Sequence, residues 1–317
     1  MNFPFESLLA HNVFMREYQF YQLDVFTEQA FCGNPLAVFP DPTNLSDEEM
    51  QNLAREMNLS ETVFVLPSEK ALRRLRIFTP MQELPLAGHP VVGTWNLLAQ
   101  LGITQQIENG VIEIQQELKL GVLPVEIEFR GGKPFKVVMT QGKFEASQIV
   151  SGTQEIEKLA RGLGLKVSDL NLQENLPVQI VSTGIKSLAV PVISLEALSR
   201  CRINSSLLSE VYLAHGAVGC YAFTFETKEK SSKVHARFFA PDDGIAEDAA
   251  TGSAAGALSG YLVYHEAIAD KTFTIEQGDF MKRPSRIFAE VSGEKGRVER
   301  VKIGGSSIVV AKGEIFF

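Results

Sequence analysis

The chain has 317 residues, of which 45% are hydrophobic and 21% charged, and it carries a formal net charge of -8. Such a composition is typical of a globular protein, and the length suggests about two domains. The acidic balance argues against a nucleic-acid or anionic-membrane partner, since both require a basic surface. The three cysteines form no CxxC motif, and their sparse, odd number favours a reducing compartment, which we expect to be the cytoplasm.

Residues 1–14 lack the basic start and the apolar core of a signal peptide. We interpret them as a loose leader and regard Met15 as an alternative start, because strand-like sequence begins at Tyr18. No apolar run reaches the roughly 20 residues that a membrane-spanning helix needs.

The first half predicts short strands and two helices. Ser46 to Glu49 fits a capping box, with Leu45 and Met50 placed as a hydrophobic staple, and an apolar face follows. A second helix is expected from about Pro90 to Gln100. Apolar runs bounded by turn signals predict strands at 20–26, 36–39, 62–66, 75–78, 111–116, 122–129 and 135–140.

The second half uses the same patterns. A helix is expected at 154–163, where Leu-Ala-Arg at 159–161 repeats Leu-Ala-Arg at 53–55 and suggests that these two helices correspond. A last helix is expected from near Thr251 to about Tyr264. Apolar runs predict strands at 178–182, 188–193, 218–225 and 234–239.

A stronger repeat precedes the later helix of each half. Residues 76–80 (RIFTP) lead through a short loop to 87–90 (AGHP), and residues 237–241 (RFFAP) lead through a similar loop to 248–253 (DAATGS). We interpret this as a duplication into two pseudo-equivalent α+β units, each with mostly antiparallel strands around one apolar helix. Chance similarity of a five-residue pattern is the alternative.

The stretch AEDAATGSAAGAL at 246–258 begins that last helix. It leads straight into apolar residues, so a helix is favoured over a linker, and it has neither the lysine of a phosphate loop nor the spacing of a nucleophile elbow. Small residues from Thr251 through Gly252 and Ser253 leave the free N–H groups of a helix N-terminus open to a carboxylate or phosphate. The alternative is a packed core helix, capped by Thr251 or Ser253, that binds nothing.

Three ionisable residues are candidates for the chemistry. Asp248 is either a helix cap or an ionised carboxylate that holds a substrate ammonium or hydroxyl, and the neighbouring Glu247 is expected to be solvated. His89, beside the other helix start, is either a proton-transfer group or an ordinary histidine. Glu61 begins an apolar strand, where burial would raise its pKa and let it act as base and acid, or else it is a solvated edge residue.

No metal or cofactor motif is present in the sequence. There is no HExxH and no clustered Cys/His spacing, and Gly162-Leu163-Gly164 lacks the third glycine of a dinucleotide loop. Chemistry without a cofactor or a metal is therefore the simpler expectation.

Taken together, these segments resemble the phenazine-biosynthesis PhzF-like family of isomerases, which is related in fold to diaminopimelate epimerase. In order and spacing the resemblance covers roughly residues 18–290. The matching segments are GNPLAVF at 33–39, NLSET at 58–62, FTP at 78–80, LPLAGHP at 84–90, RFFAP at 237–241, EDAATGSA at 247–254 and QGDFMKRPS at 277–285.

This resemblance implies an α+β fold of two diaminopimelate-epimerase-like domains, each an antiparallel, barrel-like sheet around a central helix. We expect these domains at 15–132 and 133–302, with a final strand at about 303–317 that can return to the first. The active site would lie in the cleft between them. The resemblance further implies a homodimer, no cofactor and a small carboxylated substrate.

The resemblance also implies roles for residues that match the family. Glu61 would be the acid/base group, while His89 and Asp248 would hold the substrate and assist the transfer. The substrate carboxylate would lie against Gly88 and Ser253. Two departures are noted, because the family usually has proline at Ala249 and often has glycine at Lys282.

We therefore expect a cofactor-independent isomerase or epimerase. Two alternatives remain at this point: a binding protein that keeps the cleft without turnover, and a serine hydrolase that uses Ser253.

Overall fold

The protein is described here by a computed structural model that covers residues 15–317, and the predicted leader, 1–14, lies outside the described residues. The described chain forms a mixed sheet of eighteen strands together with six α-helices. The strands are β1 (Glu17–Val25), β2 (Asn34–Phe39), β3 (Glu61–Leu66), β4 (Arg73–Phe78), β5 (Glu83–Leu84), β6 (Gly110–Leu118), β7 (Gly121–Arg130), β8 (Lys133–Thr140), β9 (Glu145–Ile149), β10 (Gln179–Ser182), β11 (Lys186–Pro191), β12 (Cys220–Thr224), β13 (Val234–Ala240), β14 (Ile245–Asp248), β15 (Thr272–Gln277), β16 (Ser285–Glu294), β17 (Arg297–Gly305) and β18 (Ser307–Phe316). The helices are α1 (Asp47–Met57), α2 (Gly88–Gln100), α3 (Thr153–Leu163), α4 (Leu195–Ser199), α5 (Ser205–Ala214) and α6 (Gly252–Tyr264).

Strand pairing repeats after nine strands. Every pairing within β1–β8 recurs, with the same direction, within β10–β17. The sheet is mixed rather than purely antiparallel, because β2–β3, β4–β6 and their counterparts β11–β12 and β13–β15 are parallel. The internal repeat read from residues 76–90 and 237–253 is therefore present in the fold.

Strand exchange joins the two halves. β18 pairs with β1, β9 pairs with β10, and β8 pairs with both β7 and β17. Since β8 pairs with a strand of each half, strand pairing alone does not fix a boundary at 132/133. The domain limits stay a prediction.

One helix lies inside each half. α2 is buried along nearly its whole length and packs on β1, β2, β3, β8 and β18, whereas α6 packs on β10, β11, β16 and β17. Trp95 of α2 is fully buried and donates from Nε1 to Gln116 Oε1 at 2.7 Å. Burial on all sides explains why both helices are apolar around their circumference rather than amphipathic.

The remaining helices cover the outer surface. α1 has the predicted capping box at Ser46 and packs Met50 and Leu53 against a cluster of Phe39 and Phe64. The predicted correspondence of α1 with α3 is wrong. α1 lies between β2 and β3, so its counterparts by strand order are α4 and α5, between β11 and β12, whereas α3 is an insertion before β10. No helix in residues 15–317 has the length and hydropathy of a membrane-spanning segment.

Candidate active site

The N-termini of α2 and α6 meet tip to tip. A Cβ atom placed on Gly88 would lie 3.2 Å from the Cα of Gly252, and one placed on Gly252 would lie 3.3 Å from the Cα of Gly88. Only glycine allows this approach without a shift of one backbone. The two central helices of the repeat thus present their first turns to a common point.

Neither helix is capped by a side chain. The side chain of Ala87 has no acceptor to offer to the first amides of α2. In α6 the first intrahelical bond runs from Ala255 N to Thr251 O at 2.9 Å, so the amides of Gly252 and Ser253 precede it. Two positive helix ends facing each other repel unless an anion lies between them, so this geometry favours a bound carboxylate or phosphate.

Glu61 and His89 lie together beside the α2 tip. Glu61 Oε2 is 3.1 Å from His89 Nε2, and the two side chains are 14% and 5% exposed. The contact lies outside hydrogen-bond geometry, and neither atom has another partner among the described residues. Burial raises the pKa of Glu61 to about 8, with a further contribution from the negative charge of Asp248. Burial lowers the pKa of His89 to about 3, so the imidazole is neutral near pH 7.

Asp248 ends β14 just before the α6 tip, and donors surround it. Its Oδ2 accepts from Thr251 Oγ1 at 2.6 Å, and its Oδ1 accepts from Asn34 Nδ2 at 2.9 Å. Burial raises the pKa of Asp248, and these hydrogen bonds oppose the rise, leaving the pKa at about 6. At pH 7 Asp248 is therefore mainly ionised while Glu61 is mainly protonated.

Gln277 holds the loop between Asp248 and α6. Its Nε2 donates to Asp248 O at 2.9 Å and to Thr251 Oγ1 at 3.0 Å, while its Oε1 accepts from Thr251 N at 3.1 Å. Tyr221 OH donates to the same Oε1 at 2.8 Å. Because Gln277 is fully buried, this network fixes the backbone that carries Asp248.

The structure thus brings the predicted site residues to one place. Gly88, Gly252 and Ser253 lie at the two tips with Glu61, His89 and Asp248 around them. Thr251 is already engaged, since its amide and hydroxyl both bond within the protein. The hydroxyl of Ser253 has no protein partner among the described residues, so it lacks the hydrogen bond to a base that an activated serine nucleophile makes.

The expectation that Glu247 is solvated is wrong. Its carboxylate pairs with Arg237, Nε to Oε1 at 2.8 Å and a second nitrogen to Oε2 at 2.7 Å. The partner comes from β13, the neighbouring strand, so the local sequence around Glu247 contains no sign of it.

Sequence reasoning named neither Asn34 nor Arg283 as a site residue. Arg283 donates to Gly33 O at 2.9 Å and to Asp24 Oδ1 at 2.6 Å, and so ties the loop before Asn34 to the second half. Both residues lie in segments that carry the family resemblance, and this was the available signal. Of the two departures, Lys282 is exposed with φ 60°, a left-handed position that favours glycine, and Ala249 is buried with its carbonyl accepting from Ser285 Oγ.

One cluster away from the helix tips has metal-binding residue types. In residues 15–317, His235, Glu276 and Asp279 bring candidate ligand atoms within 4.8 Å of one another. Lys228 and Arg286 already neutralise Asp279, at 3.3 and 3.1 Å. We interpret the cluster as an ion-pair network and assign no metal to it.

Comparison with known proteins identifies the family. The family model described as phenazine biosynthesis-like protein (PhzC-PhzF) matches residues 23–313. The trans-2,3-dihydro-3-hydroxyanthranilate isomerase of Pseudomonas aeruginosa is 35% identical over 296 residues, covering 93% of this chain and 98% of that protein. The chain belongs to the PhzC-PhzF family. An uncharacterized isomerase of Clostridium acetobutylicum is 36% identical over 307 residues, covering 95% of this chain and 99% of that protein.

Solved structures agree with this assignment to the PhzC-PhzF family. A PhzF-family phenazine biosynthesis protein of Bacillus anthracis matches with a TM-score of 0.85 at 29% identity, covering 95% of this chain and 99% of that one. A hydroxyproline epimerase of Agrobacterium vitis matches with a TM-score of 0.63 at 12% identity, covering 95% and 91%. The latter likeness shows a shared fold alone. The predictions of the family and of an isomerase are confirmed.

Proposed function

We propose that this PhzC-PhzF protein is a cofactor-independent isomerase or epimerase that moves a proton between carbons of a small carboxylated substrate. The observation that carries the proposal is the meeting of two uncapped helix N-termini, with Glu61, His89 and Asp248 beside them. Near pH 7 Glu61 is mainly neutral and Asp248 mainly ionised. Two carboxyl groups whose environments give them different pKa values can serve one as the acid/base group and the other as a charged group that binds the substrate.

In the proposed reaction, the substrate carboxylate lies against the amides of Gly88, Gly252 and Ser253. The ionised Asp248 holds an ammonium or hydroxyl group of the substrate. Glu61, once ionised, takes a proton from one carbon, and the electron pair left behind shifts along the substrate. Glu61 then returns the proton to another carbon on the same face of the substrate. No net oxidation occurs, and the fixed helix dipoles stabilise the negative charge that develops.

The relative from Pseudomonas aeruginosa suggests a first substrate to try. Its name specifies trans-2,3-dihydro-3-hydroxyanthranilate, which is a small carboxylate with amino and hydroxyl groups. Such a compound would match the anion-binding tips and the ionised Asp248. We propose this chemical class for the protein, and trans-2,3-dihydro-3-hydroxyanthranilate as the first probe.

Deuterium incorporation tests the proposal directly. The protein is incubated with this compound in deuterated water, followed by other small amino and unsaturated carboxylates, and carbon-bound deuterium is measured by mass spectrometry. We expect incorporation with the wild type, none above background with Glu61→Gln, and wild-type incorporation with Glu69→Gln, a control that removes an exposed carboxylate beyond the far end of β3. Incorporation by Glu61→Gln at the wild-type rate would exclude Glu61 as the acid/base group.

A different outcome would favour the second reading of the cleft. Binding of these carboxylates without any exchange across the panel would indicate a non-catalytic binding protein. We also propose a homodimer, as the family resemblance implies, and a cytoplasmic location, as the sparse cysteines suggest. Light scattering coupled to gel filtration measures the mass in solution, and a monomer at micromolar concentration would contradict the dimer.

A further inference from the structure

Asn34 begins β2 and reaches across to the second half, where its side-chain orientation is fixed. Its Nδ2 lies 2.9 Å from Asp248 Oδ1 and 2.9 Å from Ala250 O, and both of these atoms are acceptors. Rotating the amide by half a turn would place Oδ1 against these two oxygens instead. Because Asn34 is 1% exposed, little water is available to relieve such a contact, so the amide nitrogen must face Asp248.

The same nitrogen also faces the ring of His89, with 3.4 Å between Asn34 Nδ2 and His89 Nδ1. An amide NH2 group donates hydrogen bonds and does not accept them. The two amide protons point to Asp248 Oδ1 and Ala250 O at 2.9 Å, so His89 Nδ1 at 3.4 Å is at most a third, longer contact. A proton on Nδ1 would meet a nitrogen that cannot accept it, and Nδ1 has no other hydrogen-bond partner among the described residues. A lone pair on Nδ1 avoids this, and the proton of the neutral ring then lies on Nε2.

We propose that Asn34 is a positioning residue that fixes His89 as the Nε2–H tautomer and so directs that proton at Glu61. This inference rests on the proposed function for its catalytic meaning, while the tautomer itself does not depend on it. Nε2 lies 3.1 Å from Glu61 Oε2, although the contact falls outside hydrogen-bond geometry. Such contacts are often misaligned before substrate binds.

The consequence is a division of labour within the carboxyl group of Glu61. Oε2 accepts from His89, and Oε1, which has no protein partner among the described residues, is left to exchange a proton with the substrate. The pKa of His89, lowered to about 3 by burial, agrees with a neutral ring. One asparagine thereby links the charge state of Asp248 to the proton that faces Glu61.

Nitrogen-15 NMR of the histidine rings tests this assignment without any substrate. The chain has five histidines, and loss of one signal set in His89→Gln assigns His89. We expect wild-type His89 at pH 7 to show a protonated Nε2 and an unprotonated Nδ1. A protonated Nδ1, or protons on both nitrogens, would overturn the proposal even if no variant were stable.

Asn34→Asp provides the sharper test, because a carboxyl group at 34 has at most one proton, which the oxygens of Asp248 and Ala250 would take. The oxygen that replaces Nδ2 therefore offers His89 only a lone pair. We expect the tautomer to invert to Nδ1–H, or the ring to take up a second proton, with the other histidine signals unchanged as evidence of folding. Ser60→Ala is the matched control, since Ser60 Oγ touches only the opposite end of the amide, 3.4 Å from Asn34 Oδ1, and should leave the Nε2–H pattern. If Asn34→Asp keeps the wild-type tautomer, Asn34 does not decide it.

Failure of the deuterium test with an Nε2–H tautomer would reject the proposed function and leave this assignment standing.

Discussion

The tips of α2 and α6 occupy equivalent places in the repeat, but the ionisable groups beside them differ in protonation state. Each tip begins with a glycine, five positions after a glutamate that pairs with an arginine on the neighbouring strand. Beside α2 the buried groups are neutral near pH 7, with the pKa of Glu61 at about 8 and that of His89 at about 3. Beside α6 the pKa of Asp248 stays near 6.

Hydrogen-bond donors account for this difference better than burial does. Both carboxyl groups lie inside the protein, and burial raises both pKa values. Asp248 accepts from Thr251 and Asn34, whereas Glu61 has only the misaligned contact with His89. Since Asp248 ionises first, its charge adds to the cost of ionising Glu61. The two equivalent positions of the repeat thus differ near pH 7: Glu61, beside α2, keeps its proton, whereas Asp248, beside α6, is charged.

The largest expected effect is on turnover, and it distinguishes Glu61 from Asp248. Glu61→Gln should lower turnover by roughly 10²- to 10⁴-fold, the usual contribution of an acid/base group. Asp248→Asn keeps the size of the side chain but removes its charge and one of the two acceptor oxygens that Thr251 and Asn34 use. It should act mainly on KM, with a smaller loss of kcat. Steady-state kinetics on the substrate found by the exchange assay measures both, and a larger kcat loss in Asp248→Asn would reverse the assignment.

The second prediction concerns stability and pH. Folded Glu61 stays protonated up to about pH 8, whereas a free glutamate ionises from 4.5, so the folded state retains a proton that the unfolded state releases. The contribution of Glu61 to stability therefore falls as pH rises from 4.5 to 8, by at most about 5 kcal/mol, whereas the lowered pKa of His89 acts in the opposite direction between pH 3 and 6.5. Glu61→Gln removes this loss and should be more stable than wild type at pH 9, with little difference at pH 4. Urea unfolding at both pH values measures it, and Asp248→Asn should show a smaller trend.

The two arginine–glutamate pairs give the third prediction. Glu247→Gln leaves Arg237 buried without its carboxylate, for which a loss of about 3–5 kcal/mol is expected. Glu83→Gln should cost about half as much, because Arg76 keeps its contact with Asp47. Urea unfolding of both variants at pH 7 tests the ranking. Equal losses would mean that the second partner of Arg76 contributes nothing.

The smallest effect concerns the contact of the two tips. Gly88→Ala and Gly252→Ala each insert a methyl group at 3.2–3.3 Å from the opposite backbone, and each should destabilise the protein by about 1–3 kcal/mol. Because one shift of the helices relieves both, the double variant should lose less than the sum of the single losses. Ser253→Ala, which adds no atom at this contact, should change stability by less than about 0.5 kcal/mol. Additive losses would show that the tips move independently.

Much of this arrangement follows from the sequence. The capping box at Ser46 determines where α1 begins. The small and apolar residues after Thr251 predict a helix, and because no face of it is polar they also predict that it is buried on all sides. The motifs around Glu61, His89 and Asp248 identified the family and the candidate site. These features are local, because a cap, an apolar face or a small-residue tip is encoded within one or two helical turns.

The tertiary structure alone decided the partners. Glu247 pairs with Arg237 because Arg237 lies on the adjacent strand, and Asn34 reaches Asp248 over a separation of 214 residues. A sequence pattern specifies which face of an element is apolar, but it does not specify which distant donor meets a given carboxyl group. Those donors set the pKa values. The difference between a neutral Glu61 at one helix tip and an ionised Asp248 at the other therefore arises only when the chain folds.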